Sequence, residues 1–198
     1  MTLPLFPLHT VLFPGCQLDL QIFEARYLDM ISRCMKQGEG FGVVCIVEGD
    51  EVGEVVERIA QIGCEARITD FQQRPNGLLG IRVQGGRRFR VKQAQVLPDK
   101  LTVAQVEWLD EQSGVPPGEE HEDLLALLAA LAEHPMVASL DMAPSADSQA
   151  ELADKLGYLL PFGAEQKVAL LAEPDASIRL DMLQAWVCLL YTSDAADE

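Results

Sequence analysis

The first twenty-seven residues set the tightest limit on what this chain can fold into: Leu3-Pro4-Leu5-Phe6-Pro7-Leu8, then Val11-Leu12-Phe13-Pro14-Gly15, then Leu18 to Tyr27. Three prolines and a glycine punctuate an apolar run. Each proline fixes φ and removes a backbone donor, so neither a regular helix nor a central strand is expected before Gln17. The segment reads as a short strand at Leu3–Phe6, a kinked apolar loop, and a second strand at Gln17–Ile22. A helix follows over Phe23–Lys36, with Gly38 as its stop.

Phe41–Val47 is a continuous apolar run and predicts a strand buried on both faces. Gly49–Glu54 is polar and reads as the mobile loop of this half. Ile59–Phe71 alternates, with Ile62, Cys64, Ala66 and Ile68 on one face and Gln61, Glu65, Arg67 and Thr69 on the solvated one. Pro75-Asn76-Gly77 is a hairpin turn, since Asn-Gly supplies positive φ. Leu79, Ile81 and Val83 alternate up to Gly85-Gly86, which reads as a second tight turn, with Phe89 and Val91 on the returning strand. Pro98-Asp99-Lys100 turns into Leu101–Trp108. This antiparallel meander is expected to curl, with the earlier strands, into a small barrel or paired sheets.

Beyond Trp108 the pattern changes. Glu111–Glu120 reads as a linker and the rest as helix: Glu122–Glu133, Ser148–Leu160, Ala164–Ala172, and Asp175 to Ala185 or beyond. Ser148 and Glu151 form a capping box. Ile178, Met182, Ala185 and Trp186 share a stripe of the last helix. The expected fold class is α+β, an antiparallel β lobe over residues 1–110 and a helical lobe over 121–187, joined by 111–120.

The 198 residues are 48% apolar and 23% charged, as in ordinary globular chains. No window is long and apolar enough to span a membrane, and the amino terminus lacks a signal-peptide pattern, so the cytoplasm is the expected location. Cys16, Cys34, Cys45, Cys64 and Cys188 include no C-x-x-C pair, and His9, His121 and His134 are scattered, so no metal or cofactor is expected. Residues 1–106 hold 12 acidic and 12 basic side chains. Residues 107–198 hold 19 acidic against Lys155, Lys167 and Arg179, so the whole net charge of −16 lies there. A polyanion would be repelled by that half.

The opening segment resembles the Lon amino-terminal domain, the substrate-binding module found at the front of Lon proteases and also as a stand-alone protein. The matching residues are Pro4, Pro7, Val11, Pro14, Gly15, Leu18, Ile22, Phe23, Glu24, Arg26 and Tyr27. Gly85-Gly86-Arg87-Arg88-Phe89 approximates a glycine-arginine turn of that family. Leu160-Pro161-Phe162-Gly163-Ala164-Glu165-Gln166-Lys167-Val168-Ala169-Leu170-Leu171 is similar to its helix start. The resemblance spans Leu3–Val187 and implies a PUA-like β-barrel lobe followed by a helical lobe. It implies a non-catalytic module, since the ATPase and serine–lysine peptidase parts of Lon have no counterpart in these motifs. The implied partners are unfolded or hydrophobic protein segments, and a protease or adaptor complex.

Phe6, Phe13, Phe23, Tyr27, Phe41 and Phe162 are the candidate peptide-binding residues. They either line a groove between the lobes or belong to the core. Glu24 and Arg26 read as a pin between the first helix and the loop above it. Arg82, Arg87, Arg88, Arg90 and Lys92 form a basic cluster, with Arg88, Arg90 and Lys92 on one strand face. It is either a solvated face or, in an alternative reading, an RNA-binding face of a PUA-like protein. The missing aromatic interleaving argues against RNA. Residues 188–198 resemble a translated sequencing adapter. Thr192-Ser193-Asp194 should stop the last helix, leaving Thr192–Glu198 without core contacts.

Overall fold

Pro4 and Pro7 both lie inside a strand, β1 (Thr2–Leu8), rather than bounding one. Leu3 and Pro4 pair antiparallel with β6 (Thr102–Trp108), whereas Leu5 to Leu8 pair parallel with β3 (Phe41–Glu48). β1 therefore has one neighbour at a time. A proline can then direct its missing donor away from the ladder, which is the edge position where proline is tolerated. The expectation that prolines exclude a central strand is corrected on this ground, and the β1–β3 pairing makes the sheet mixed rather than wholly antiparallel.

The computed structural model describes residues 1–49, 51, 53, 58–110 and 114–196. They fall into two units, Met1–Glu111 and Gln112–Glu198. The expected loop at Gly49–Glu54 and the start of the expected linker at Glu111–Glu120 lie in part outside the described residues.

Among the described residues the first unit contains six strands and one helix. With β2 (Gln17–Ile22), β4 (Arg58–Gln73) and β5 (Leu79–Val96), the sheet order is β2-β5-β4-β3-β1-β6, and β5 also pairs with β6. That last pairing closes most of the sheet on itself. β5 does not turn at Gly85-Gly86, as the glycine pair suggested, but runs straight through. Phe13-Pro14-Gly15-Cys16 forms a tight turn, with Gly15 at φ 77° and the Cys16 N–H donating to the Phe13 carbonyl at 3.1 Å. This turn docks on β5, where the Gly15 N–H donates to the Gly85 carbonyl at 2.9 Å and the Gly85 N–H to the Cys16 carbonyl at 2.8 Å. A Cβ on Gly85 would sit 2.0 Å from the Phe13 carbonyl oxygen. The glycine is there for the close approach of another backbone.

Helix α1 (Ala25–Gln37) buries Tyr27, Met30, Ile31 and Cys34 on one face, and Gly38 ends it in the left-handed conformation at φ 67°. That face packs with Phe6, Leu8, Leu12, Phe41 and Val83 into the main core. A smaller cluster gathers Leu3, Leu5, Val44, Phe89 and Val106.

The second unit is helical: α2 (Glu122–Ala132), the single turn α3 (Pro135–Ala138), α4 (Gln149–Leu159), α5 (Ala164–Ala172) and α6 (Ala176–Ala196). The Ser148 side chain accepts the Glu151 N–H at 3.1 Å, while the Glu151 carboxylate reaches back to the Asp147 N–H at 2.9 Å. α4 is central, with Leu152, Ala153 and Leu156 buried. Part of the expected linker belongs to this unit, since the Val115 carbonyl accepts the Gln149 N–H at 2.8 Å.

α6 differs from expectation in two ways. Its buried side carries Ala176, Arg179, Leu180 and Leu183, while Ile178 is 44% exposed. The apolar stripe of Ile178 and Met182 is off that side because a buried ion pair, Arg179 Nη1 to Asp154 Oδ1 at 2.8 Å, takes the position facing α4. Thr192 does not stop the helix either. Its hydroxyl donates to the Cys188 carbonyl at 2.8 Å, satisfying itself within the turn. Asp197 and Glu198 lie outside the described residues.

Candidate peptide-binding trough

Beyond Ala66, β4 loses one neighbour. β3 starts at Phe41, which pairs with Ala66, so the stretch from Ile68 to Gln73 is paired with β5 alone among the described residues. The chain before β3 turns off at Gly38–Gly40. Gly40 is held tight here, because a Cβ on it would lie 2.6 Å from the Ala66 carbonyl oxygen. The gap between the departing chain and the overhanging β4 is a trough of about 730 Å³, lined by Met35, Glu65, Arg67, Ile68, Phe71, Arg87 and Trp108. A smaller concavity of about 210 Å³, lined by Met30, Arg33, Leu101 and Val103, shares Thr2, Pro4, Cys34, Glu39 and Gly40 with it. The two therefore adjoin.

Its apolar lining is accessible, with Phe71 58% and Met35 43% exposed. Flexible methionine beside aromatic rings suits varied apolar partners, because the thioether adapts its shape to what it meets. The polar wall centres on Glu65. Alternation along β4 places Glu65 on the solvated face, but it is buried. A register shift between Cys64 and Ala66 re-aims this part of the strand, and Glu65 Oε2 accepts from Arg67 Nη2 and Arg87 Nε, each at 3.4 Å. The Arg87 guanidinium lies 3.8 Å over the Trp108 ring. Burial raises the Cys34 thiol pKa, and the nearby Glu39 charge adds to that. Among the described residues no group of His, Cys, Asp and Glu is placed to hold a metal.

The six aromatic residues singled out in the sequence are not in the trough. Phe6, Phe13, Tyr27 and Phe41 are buried in the first unit, where Phe6 stacks on Tyr27 at 4.1 Å and lies 5.9 Å from Phe41. Phe162 is buried in the second unit against Trp186, their ring centroids 5.3 Å apart. The hydrophobicity of these five is spent on the core. Phe23 alone of the six is exposed. The residues that do line the trough, Met35, Phe71 and Trp108, end elements whose alternation or helical spacing marks them as ordinary.

The family-motif residues are spread over β1, the Phe13–Cys16 turn and the start of α1. Pro14 and Gly15 make the docking turn, and Pro4 and Pro7 sit in β1. Arg26 is buried, donating from Nε to Glu24 at 2.8 Å and from Nη1 to the Lys100 carbonyl at 3.0 Å, with its guanidinium 4.7 Å from the Tyr27 ring centre. The other Glu24 oxygen accepts the Gly53 N–H at 3.3 Å. The pair thus bridges α1, the turn after β5 and the segment after β3.

The basic cluster is dispersed by its own sheet. Arg82 donates to both oxygens of Asp19, at 2.8 and 3.0 Å, Arg87 meets Glu65, and Lys92 meets Glu107. Arg88 is not on a solvated face but buried, donating to the Asp110 carbonyl at 3.4 Å.

The architecture is that of a mixed β unit with one packed helix, followed by a helical unit, the arrangement of a Lon-type amino-terminal domain. Residues 2–188 match the family described as the ATP-dependent protease La (LON) substrate-binding domain, and the chain belongs to that family. It is similar to the crystal structure of a Lon N-terminal domain protein from Xanthomonas campestris, with 36% identity and a TM-score of 0.77, covering 94% of this chain and 98% of that one. The N-terminal domain of Mycobacterium avium complex Lon protease shares the fold at 19% identity and a TM-score of 0.64, covering 94% and 97%. The curated Lon protease of Flavobacterium johnsoniae is 26% identical over 78% of this chain. That of Cytophaga hutchinsonii is 26% identical over 76%. The chain spans about 18% of the length of these two relatives. No helix among the described residues is long and apolar enough to cross a membrane.

Proposed function

We propose that this chain is a recognition module that takes exposed hydrophobic segments of client proteins into the trough of its first unit, and performs no covalent chemistry on them itself. The family supplies the class, substrate binding. The observation that carries the site is the exposure of Phe71 and Met35 beside a strand edge that has no neighbour among the described residues. Binding energy comes from apolar burial, at roughly 25 cal/mol per Å². Association entropy offsets much of it, so affinities in the micromolar range are expected. The clients pass to a partner protease or adaptor complex, in line with the Lon proteases among its relatives, and the setting is the cytoplasm.

Fluorescence anisotropy with labelled apolar peptides tests this reading. The chain should bind such peptides, and Met35→Ser/Phe71→Ser should lose on the order of tenfold in affinity, the effect of removing one or two buried apolar side chains, with an unchanged unfolding midpoint. Equal binding by the double variant would remove the trough from the reading. The alternative of RNA binding through Arg82–Lys92 is disfavoured because three of those cations already face carboxylates of the same sheet.

A further inference from the structure

The backbone of β4 bears on how a client segment is held. The stretch from Ile68 to Gln73 has β5 on one side and no strand on the other among the described residues. Every residue from Thr69 to Gln73 is exposed. Such an edge offers a row of backbone donors and acceptors that another chain can complete. One donor on it is already engaged in a telling way. The Phe71 N–H donates to Oδ1 of its neighbour Asp70 at 2.9 Å. The Arg74 N–H donates to the Leu78 carbonyl across the same register, and hydrogen-bonded pairs alternate along an antiparallel ladder, so Phe71–Ile81 is a non-hydrogen-bonded pair and the Phe71 N–H faces away from β5. The Asp70 carboxylate stands where the carbonyl of an added strand would be.

We infer that a client segment binds in extended form as an added strand on the Ile68–Gln73 edge of β4, its carbonyl displacing the Asp70 carboxylate from the Phe71 N–H. The inference rests on the peptide-recognition reading and specifies its geometry. About six residues of strand would span roughly 20 Å at 3.3 Å per residue, the length of the Ile68–Gln73 edge. Backbone pairing gives affinity with little dependence on client sequence, and side chains on alternate positions meet the Phe71 ring and the trough floor. Charge identifies the occupant further. The charged side chains lining the trough are three arginines and three carboxylates, so it is neutral within a chain of net charge −16. Balanced charges give an acidic or basic segment no net attraction, so the occupant is an uncharged apolar strand.

The test uses the full chain and a labelled nine-residue uncharged peptide of β-branched and aromatic residues. Two further versions carry N-methyl groups on the odd or the even backbone nitrogens. Only alternate N–H groups of an added strand face its neighbour. One N-methyl version should therefore lose on the order of tenfold or more in affinity while the other binds nearly as the parent does. Asp70→Ala, at an exposed position, should tighten parent binding about two- to tenfold by freeing the Phe71 N–H. Parent binding with both N-methyl versions equally tight would overturn strand addition and leave peptide recognition standing. Affinity unaltered by Asp70→Ala would overturn it as well. No binding of any version would overturn the recognition reading itself. Sedimentation velocity of the chain alone should show a monomer. A dimer that excess peptide fails to dissociate would assign the edge to a second copy and overturn the inference.

Discussion

Gly85 and Phe13 are in backbone contact: a Cβ at Gly85 would fall 2.0 Å from the Phe13 carbonyl oxygen, closer than any relaxation of a side chain could relieve. The two hydrogen bonds that seat the Phe13–Cys16 turn on β5 run through the same residue. Gly85→Ala should therefore destabilise the first unit by about 3 kcal/mol or more, the upper range of overpacking effects. Gly114→Ala, where nothing lies within 4 Å, serves as the control and should be near neutral. Urea midpoints of the two variants decide the matter, and a Gly85→Ala midpoint equal to wild type would show that the turn does not rest on β5.

The Arg179–Asp154 pair is buried on both sides, and Arg179 Nε has no partner of its own. Removing one member strands a charge in the interior, which costs roughly 3–5 kcal/mol. Asp154→Ala should fall in that range. Asp154→Ala combined with Arg179→Met should recover much of the loss, because no stranded charge remains. A double variant as unstable as the single one would count against this account.

Asp19 is held below the ordinary aspartate range, chiefly by the hydrogen bond from Arg82 and, against some desolvation, by that residue's charge. A carboxyl with a depressed folded-state pKa adds stability above its unfolded value and loses it as pH falls through the folded one. Half of the Asp19 side chain is solvated, so the contribution is under about 1 kcal/mol. The stability gap between wild type and Asp19→Asn should be open at pH 6 and close below the ordinary carboxylate range. A gap that widened on acidification would reverse the sign argued here.

Single-stranded RNA should show no submicromolar binding at about 150 mM salt, near physiological ionic strength. Most of the cations of the Arg82–Lys92 stretch are paired within the sheet, and the chain carries −16 overall. Anisotropy with a labelled oligonucleotide measures this directly, and tight, salt-sensitive binding would restore the RNA reading.

Where local chemistry determines local structure, the sequence was readable: the bounds of Gln17–Ile22 and Ala164–Ala172, the left-handed cap at Gly38, the Asn76-Gly77 hairpin and the Ser148 cap. It misled where distant segments decide. Gly85-Gly86 looks the same in a turn and under a crossing backbone, and the crossing residues lie some seventy positions upstream. Glu65 reads as solvated until two arginines and a shifted register bury it. The stripe on α6 is displaced by Arg179, whose partner is 25 residues away. The trough was missed for a related reason. Large aromatics carry the strongest hydrophobic signal, and the core claims most of them, whereas Phe71 is exposed on the stretch of β4 that the β3 pairing does not reach.

The placement of the thiols has a practical consequence. Cys16, Cys34, Cys45 and Cys64 are all buried and all belong to the first unit, while Cys188 is exposed in the second. A membrane-permeant alkylating reagent would therefore mark the native chain once, and every additional adduct would time-stamp an opening of the β unit alone. The mass of the intact chain becomes a clock for that unit, readable with no introduced probe, while the helical unit keeps silent.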